Sequence, residues 1–304
     1  MSESYYNRRI VKLAAIINPI SGAGADVHAA ERRTAMLREA LDRRSLRGPI
    51  DLTTSAGHAH QLARRAAEDG ADLVIVWGGD GTVNEAGAAL MGTGTALGLV
   101  PAGSGNGLAG SLSCQRDSRA AIAAALDGTT RTIDAGVLNG RPFFNIAGIG
   151  VDARVARLFN LRGRGSRGLW PYVMIGVREA CRYAALDYDV ELDGTRTSVR
   201  ALLIAFANGR EYGNSMTLCA SAELDDGLLD ATIVEDRPVV SRLLHASHLA
   251  RKGAEGAPRV VTRKVQHAVV RAPAAMEYHV DGEPGVADGL IEVAIRPGAL
   301  KVRV

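Results

Sequence analysis

The chain has few cysteines and few aromatic residues, and each shortage argues against a class of protein. Its 304 residues include three cysteines, Cys114, Cys181 and Cys219, and no two of them form a Cys-x-x-Cys pair. This spacing argues against a zinc cluster or a disulfide framework and fits a reducing compartment. Phe, Trp and Tyr make up only 4% of the residues. An aromatic platform for stacking on bases is therefore missing, and we expect no nucleic-acid partner.

Long apolar runs and the features of a signal peptide are also missing. No run reaches the roughly 18–20 residues that a membrane-spanning helix needs, and the polar residues 1–9 are not followed by the apolar segment of a secretory signal. We therefore expect a cytoplasmic protein. The net charge of +3 is a mild excess that fits contact with an anionic membrane surface or cofactor. The length and the 47% of hydrophobic residues suggest two packed domains.

The chain also lacks the Gly-x-x-x-x-Gly-Lys-Ser/Thr sequence whose lysine binds phosphate in P-loop proteins. The Gly-x-Gly-x-x-Gly string at residues 105–110 follows the fourth predicted strand instead of the first. The nearest acidic candidate, Asp127, ends a predicted helix, so a Rossmann dinucleotide site is not favoured. Any phosphate must therefore be bound by glycine loops of another kind.

The first half of the chain alternates apolar strands with helices. Strands are predicted at 11–18, 50–54, 73–77 and 96–100, and helices at 26–44, 58–68, 83–91 and 119–126. This alternation predicts a three-layer α/β domain with a parallel sheet between helices. Ligands of such sheets bind beyond the carboxyl ends of the strands, where Asn18, Thr53, Gly78 and Pro101 fall.

Beyond about residue 130, strands dominate the pattern. They are predicted at 130–138, 141–146, 188–193, 198–207, 229–235, 260–272, 276–280, 290–295 and 300–304, with helices near 170–183 and 239–250. Asn139-Gly140 and Asp193-Gly194 are hairpin signals. We expect an α/β domain over residues 9–130, completed by 290–304, and a β-rich two-layer domain over 131–289.

The most informative stretch is Gly-Gly-Asp-Gly-Thr-Val-Asn-Glu at residues 78–85. It joins a buried strand to a helix, so its glycines let the backbone approach a ligand and the helix N-terminus offers free N–H groups to an anion. An aspartate inside an anion site fits best when a cation binds there too. The stretch therefore predicts nucleotide phosphates bound together with Mg²⁺.

This stretch resembles the nucleotide-binding motif of the diacylglycerol kinase catalytic family, which includes bacterial lipid kinases, sphingosine kinases and ceramide kinases. NAD kinases and phosphofructokinases share its Gly-Gly-Asp-Gly core, so other segments sharpen the resemblance. They are Asn-Pro-Ile-Ser-Gly at 18–22, Thr-Thr-Ser-Ala-Gly-His-Ala at 53–59 and Gly-Ser-Gly-Asn at 103–106. The last is closer to the sphingosine-kinase-like branch. The resemblance implies an N-terminal domain of the NAD kinase and phosphofructokinase type.

The resemblance further implies that these segments bind ATP, with Asp80 acting on the phosphates through Mg²⁺. The residues it assigns to the nucleotide are Asn18, Pro19, Ser21, Gly22, Thr53, Gly78, Gly79, Gly81, Thr82, Asn84, Glu85, Gly103, Ser104 and Asn106. From the residues alone, the loops at 18–22 and 53–59 are also explained as turns that cap the helices after them. Asp152, at the junction of the two halves, is either a carboxylate of the cleft or part of a hinge.

Asp281-Gly282-Glu283, near the C-terminus, resembles the Asp-Gly-Glu motif of the same family. The resemblance implies that Glu283 is the catalytic carboxylate, with Asp281 beside it. A carboxylate suits this role, because a lipid hydroxyl must lose its proton as it attacks the γ-phosphorus. From the residues alone, Asp-Gly also indicates an ordinary hairpin turn.

Residues 223–230 resemble a family segment that binds a structural Mg²⁺. The resemblance implies a metal held by the carboxylate of Asp226 and by the backbone carbonyls of Glu223 and Leu228, a set of oxygen ligands that suits a hard cation. A polar turn that leads into a strand explains the segment equally well.

The sequence gives only a weak indication of which residues would contact a lipid. Residues 157–170 mix arginines with large apolar residues, which suits docking on anionic headgroups, although a basic loop before a helix explains them as well. The resemblance implies an ATP-dependent kinase that phosphorylates a hydroxyl of diacylglycerol or a sphingoid-like lipid during transient contact with the membrane. A soluble-substrate kinase such as an NAD kinase, and a nucleotide-responsive lipid-binding protein without catalysis, stay open as alternatives. A homodimer stays open as well.

Overall fold

The computed structural model of the chain describes residues 12–22, 26, 28–161, 169–213, 216–217, 219–238 and 258–304. The helix predicted at 239–250 and the centre of the basic and apolar segment 157–170 lie outside this part. The helices are α1 Ala29–Asp42, α2 His58–Glu68, α3 Asp80–Leu90, α4 Gly107–Ser111, α5 Ser118–Asp127, α6 Val151–Leu161 and α7 Leu169–Arg182. Among the described residues, no helix combines the length and the apolar character needed to cross a bilayer.

The N-terminal part is the predicted three-layer α/β structure. Its strands β1 Leu13–Ile17, β2 Ile50–Leu52, β3 Leu73–Gly78 and β4 Ala96–Pro101 are parallel, in the order β4-β3-β1-β2. Successive strand residues face opposite sides, so Ile17 and Ile75 pack with α1 and α5 while Ile16 and Val76 pack with α2 and α3. The carboxyl ends of β1, β3 and β4 lie together at one edge of this sheet.

The remainder of the chain is β-rich, and its strands pair almost entirely antiparallel. They are β5 Thr130–Leu138, β6 Arg141–Phe143, β7 Ile146–Gly150, β8 Leu186–Leu192, β9 Thr195–Ala207, β10 Glu211–Gly213, β11 Met216–Thr217, β12 Leu229–Glu235, β13 Val260–Val265, β14 His267–Arg271, β15 Met276–Val280, β16 Glu283–Ala287 and β17 Leu290–Arg303. A core that includes Phe143, Tyr188 and Phe206 lies between its strands. The fold class expected from the sequence is confirmed.

The long strand β17 joins the two parts. Its first half pairs antiparallel with β14, its whole length pairs with β5, and its final residues 301–303 lie parallel to β4. The register against β5 shifts between Arg296 and Leu300. At this irregularity the amide of Gly298, in the left-handed region with φ +60°, donates to the buried carboxylate of Asp134. Pro297-Gly298 therefore makes a kink within the single strand β17, where the sequence predicted two separate strands at 290–295 and 300–304.

Other boundaries differ from the prediction for identifiable reasons. The strand predicted at 141–146 divides into β6 and β7, because the amides of Phe144, Asn145 and Ile146 all donate to one carboxylate, that of Asp281, and leave the ladder. Helices α4 and α6 were not predicted, since short apolar runs do not distinguish helix from strand. The hairpin signals are confirmed, with Asn139 and Asp193 both at φ +45°, as a type I′ turn requires.

Asp134 provides a test of this packing. It is 2% exposed, and its two oxygens accept hydrogen bonds of 2.7 Å from the amides of Gly227 and Gly298. Asp134→Ala leaves both buried donors without an acceptor, so we expect the free energy of unfolding to fall by about 2–4 kcal/mol. Urea unfolding measures the loss, and Asp51→Ala, on the exposed face of β2, should stay within about 0.5 kcal/mol of the unchanged chain. A loss below about 1 kcal/mol for Asp134→Ala would contradict the packing role.

Candidate nucleotide and catalytic site

The loops that follow β1, β3 and β4 touch one another at the edge of the parallel sheet. A Cβ atom added to Gly22, at φ +80°, would lie 2.1 Å from the carbonyl oxygen of Ala102. One added to Gly103 would lie 2.7 Å from the Cα of Gly79. Side chains at these positions would separate the loops, so the glycines allow three segments of backbone to form one surface.

Asp80, the first residue of α3, holds two of these loops together. Its Oδ2 accepts from the amide of Asn106 and its Oδ1 from the amide of Gly107, both at 2.8 Å. The Asn106 side chain closes its own loop through two hydrogen bonds of 2.7 Å to the backbone of Gly103. Burial raises the pKa of Asp80 to about 6, although the two amides oppose the shift; the carboxylate of Asp281 adds to it. A cation bound beside Asp80 would relieve this cost of ionisation.

Asn18 connects the loop after β1 to α3. Its Nδ2 donates to Thr82 Oγ1 at 2.8 Å, and its Oδ1 accepts from the amide of Ile20 at 3.1 Å. Thr82 packs against the end of β3, where a Cβ on Gly78 would lie 2.7 Å from the Thr82 Cβ. The Ser21 hydroxyl turns back to the carbonyl of Asn18 at 3.1 Å. These bonds fix the shape of the loop, while Pro19 is half-buried and the Ser104 side chain of the neighbouring loop is exposed.

Glu85 orders the loop after β2. Its two carboxylate oxygens accept from the amides of Gly57, at 2.7 Å, and Ala59, at 3.1 Å, at the start of α2. The carboxylate thus caps α2, and the nucleotide contact expected for Glu85 stays a prediction. The loop it holds carries the half-buried Thr53. His58 accepts from the amide of Thr54 at 3.1 Å and so closes the loop that precedes α2.

The Asp-Gly-Glu motif forms the turn between β15 and β16, and Asp281 anchors that turn. Its carboxylate accepts four hydrogen bonds of 2.9–3.0 Å, from Asn84 Nδ2 and from the amides of Phe144, Asn145 and Ile146. Burial raises the pKa of Asp281, and the four donors oppose that shift. With both oxygens engaged in this way, Asp281 has the geometry of an anchor rather than of a base.

Glu283 follows the anchored turn and reaches the first turn of α3. A Cβ atom on Gly81 would lie 2.7 Å from Glu283 Oε1. The carboxylate therefore lies directly over the glycine loop, and only a glycine leaves room for it there. The Glu283 side chain is exposed. The tertiary structure thus brings together two motifs that are about two hundred residues apart in the sequence.

A buried pair behind the turn was not anticipated from the sequence. Nδ1 of His279, which is 3% exposed, accepts from the amide of Gly282 at 3.2 Å, and its Nε2 lies 3.0 Å from Asp152 Oδ2. Because Nδ1 accepts, the proton of a neutral ring lies on Nε2, facing the carboxylate. A Cβ on Gly148 would lie 1.9 Å from Asp152 Oδ2, so that glycine leaves space for the pair. Asp152 thus contacts the turn through His279.

At the turn over residues 223–230, the carboxylate expected to bind a metal contacts other groups of the chain. Asp226 Oδ1 accepts from the amide of Leu228 at 3.0 Å, and its other oxygen pairs with the Lys264 ammonium. The side chain of Glu223 is exposed. Across the part of the chain that the structure describes, no three His, Cys, Asp or Glu side chains converge as a metal cage. The metal assignment stays a prediction, and the charge of Lys264 at Asp226 argues against it.

Two family models together cover nearly the whole chain. The diacylglycerol kinase catalytic domain matches residues 12–138, and the YegS C-terminal NAD kinase beta sandwich-like domain matches residues 145–304. Among curated proteins, a diacylglycerol kinase of Mycobacterium tuberculosis is 36% identical over 236 residues, 74% of each chain. A Chromohalobacter salexigens protein named "Probable lipid kinase YegS-like" is 30% identical over 290 residues, 92% of this chain and 90% of that one.

Solved structures share the fold at lower identity. A diacylglycerol kinase structure from Bacillus anthracis superposes with a TM-score of 0.73 at 19% identity, over 97% of both chains. An NAD kinase of Archaeoglobus fulgidus in complex with ATP superposes with a TM-score of 0.54 at 14% identity, over 96% of this chain and 93% of that one. Together with the two family models and the identity to curated relatives, these similarities show that the chain belongs to the diacylglycerol kinase catalytic family and is a kinase.

Proposed function

We propose that the chain is an ATP-dependent lipid kinase that phosphorylates a hydroxyl of diacylglycerol or a related sphingoid-like lipid. The position of the Glu283 carboxylate over Gly81 carries the proposal, because it places a base beside the loop expected to hold the γ-phosphate. The names of the curated relatives support a lipid as the acceptor. The matching family model supports ATP as the donor.

In this proposal the phosphates of ATP bind to the backbone of the three touching loops and to the N-terminus of α3, whose amides attract anions. The residues that we assign to this surface are Asn18, Pro19, Ser21, Gly22, Gly78, Gly79, Gly81, Thr82, Gly103, Ser104 and Asn106, together with Thr53 from the loop after β2. The exposed hydroxyl of Ser104 is free to donate to a phosphate oxygen. Asn84 and Glu85 support the surface from behind, through Asp281 and the start of α2.

Asp80 is the residue that we propose to hold Mg²⁺. In phosphoryl-transfer sites Mg²⁺ is bound by one or two carboxylates together with substrate phosphates and water, so a single carboxylate is sufficient on the protein side. Each oxygen of Asp80 carries one amide donor and keeps a lone pair for a cation. The bound ion would supply neutralisation of the charge on the phosphates.

The chain's own residues perform the remaining chemistry. The oxygen of the lipid hydroxyl attacks the γ-phosphorus, and ADP leaves. Glu283 accepts the proton that this hydroxyl loses. Asp281, through its four donors, fixes the turn that aims Glu283. His279 holds Gly282 from the opposite side. In such a site most of the rate enhancement comes from positioning and charge stabilisation.

We propose that residues 9–130 and 290–304 bind the nucleotide, and that residues 131–289 bind the lipid and carry the catalytic base. The contact of residues 301–303 with β4 supports the first part. Around residues 162–168, which include three arginines, the exposed Leu161 ends α6 and the exposed Met174 lies on α7. This combination supports transient contact with an anionic membrane surface from the cytoplasm.

Transfer of label from γ-labelled ATP tests the proposed function directly. Acceptors are diacylglycerol, sphingosine, ceramide and phosphatidylglycerol in mixed micelles, and NAD in solution, all with Mg²⁺. We expect a labelled product that partitions into organic solvent. Transfer to NAD alone would favour the soluble-substrate kinase. Absence of transfer from folded protein that binds ATP would favour a lipid-binding protein without catalysis.

Replacing the base should affect turnover and leave stability unchanged. Glu283→Gln keeps the size of the side chain and removes its basicity, so we expect kcat to fall by about 10²–10⁴. The side chain is exposed, and the unfolding midpoint should therefore not change. Glu292→Gln, an exposed change on β17, is the matched control and should keep full activity. A Glu283→Gln enzyme within about threefold of the unchanged rate would rule out general-base catalysis by this residue.

The close approach of the two motifs gives a second test. Gly81→Ala places a methyl group 2.7 Å from Glu283 Oε1, so the carboxylate must move away from the loop. We expect kcat to fall about 10- to 100-fold, with no loss of stability, since alanine favours helix. Gly94→Ala, where an added Cβ meets nothing within 4 Å, is the control. Equal rates for the two variants would show that Glu283 does not act from this position.

A further inference from the structure

Arg33 is a buried cation that packs behind the loop after β1. It occupies an inward-facing position of α1, in line with Ala29, Leu37 and Leu41, and is only 9% exposed. Its Nη1 donates to the Asn18 carbonyl at 2.6 Å. Its guanidinium carbon lies 5.7 Å from the centroid of the Trp77 ring. Arg33 is therefore enclosed between helix, strand and loop.

The hydrogen-bond acceptors of Arg33 are all neutral. Besides the Asn18 carbonyl, they are the Ser21 carbonyl, at 2.7 Å from Nη2, and the Ser21 hydroxyl, at 3.3 Å from Nη1. No carboxylate of the described residues forms an ion pair with it; the nearby Asp26 pairs with Arg32. Burial lowers the pKa of Arg33, and the positive charge of Arg32 adds to that shift. A buried charge without a partner is costly to the folded state.

The surface in front of Arg33 is the one proposed to bind phosphates. The loop that Arg33 holds bonds to Thr82 through Asn18 and touches Ala102 through Gly22. The three loops, at 18–22, 78–82 and 101–107, contain no Lys or Arg of their own, and the chain has no P-loop lysine. A nucleotide polyphosphate would supply the counter-charge that the described residues do not provide to Arg33.

We propose that Arg33 is the fixed positive charge of the nucleotide site, a positioning residue whose counter-ion is the polyphosphate of the bound nucleotide. The inference rests on the proposed function and adds a residue that no motif assigns. Arg33 acts from behind the loop, by orienting the carbonyl groups of Asn18 and Ser21 and by the attraction of its charge for phosphate. Its contribution must therefore grow with the number of phosphates on the ligand.

The experiment measures dissociation constants of the full-length chain for ATP, ADP and AMP, together with unfolding midpoints in the absence of nucleotide. The variants are Arg33→Met, which removes the charge, and Arg33→Lys, which keeps it. Arg38→Met, on the exposed face of α1, is the matched control. Direct binding separates this question from catalysis: if the unchanged chain does not bind ATP, the proposed function fails first and this inference fails with it.

We expect Arg33→Met to weaken ATP binding by roughly tenfold or more, ADP binding less and AMP binding least. Its unfolding midpoint without nucleotide should stay unchanged or rise, because the unpaired buried charge is gone. Arg33→Lys should keep most of the ATP affinity, and Arg38→Met should match the unchanged chain. If Arg33→Met fails to fold, or unfolds earlier while its affinities for the three nucleotides change by one common factor, Arg33 is only structural and the inference is overturned.

Discussion

The carboxylate of Asp281 is the contact on which the candidate site depends. Its four hydrogen bonds join the turn between β15 and β16 to Asn84 on α3 and to the three amides between β6 and β7. Asn84 Nδ2 also donates to the carbonyl of Pro142 on β6 at 2.9 Å, so the same side chain ties α3 to the β-rich part at two points. The position of Glu283 over Gly81 follows from that anchor. The site is thus assembled from two parts of the fold. The N-terminal part supplies the glycine loops, and the β-rich part supplies the Glu283 carboxylate.

The distribution of charge in the site explains how it would suit a nucleotide. Asp80 supplies negative charge within the loops and Asp281 and Glu283 supply it close by, while the loops contain no Lys or Arg and Arg33 is buried behind them. Burial raises the pKa of Asp80, so the fold itself disfavours the ionised form of this carboxyl. In the proposed function, a polyphosphate bound with a divalent cation would bring a counter-charge for Asp80 and one for Arg33. Backbone amides and the α3 dipole would then complete the binding without a P-loop lysine.

The sequence predicted the parallel sheet closely and the β-rich part less closely. Boundaries of α2, β5, β12 and β15 match, because strong periodicity or hairpin signals mark them. Helix α6 was missed, since its apolar start continues the run of β7. The resemblance singled out the motifs around Asp80 and Asp281, but the anchoring role of Asp281 and the cap formed by Glu85 depend on partners that are far away in the sequence.

The sequence by itself determined the fold class, the glycine loops and the family resemblance, because periodicity and short motifs are local properties of a chain. Only the tertiary structure decided that Glu283 meets Gly81, that His279 and Asp152 pair behind the catalytic turn, and that Lys264 neutralises Asp226. The physical reason is that these contacts join residues separated by 38 to 202 positions. Strand order and register determine which of these residues meet, and neither can be predicted from a local sequence pattern.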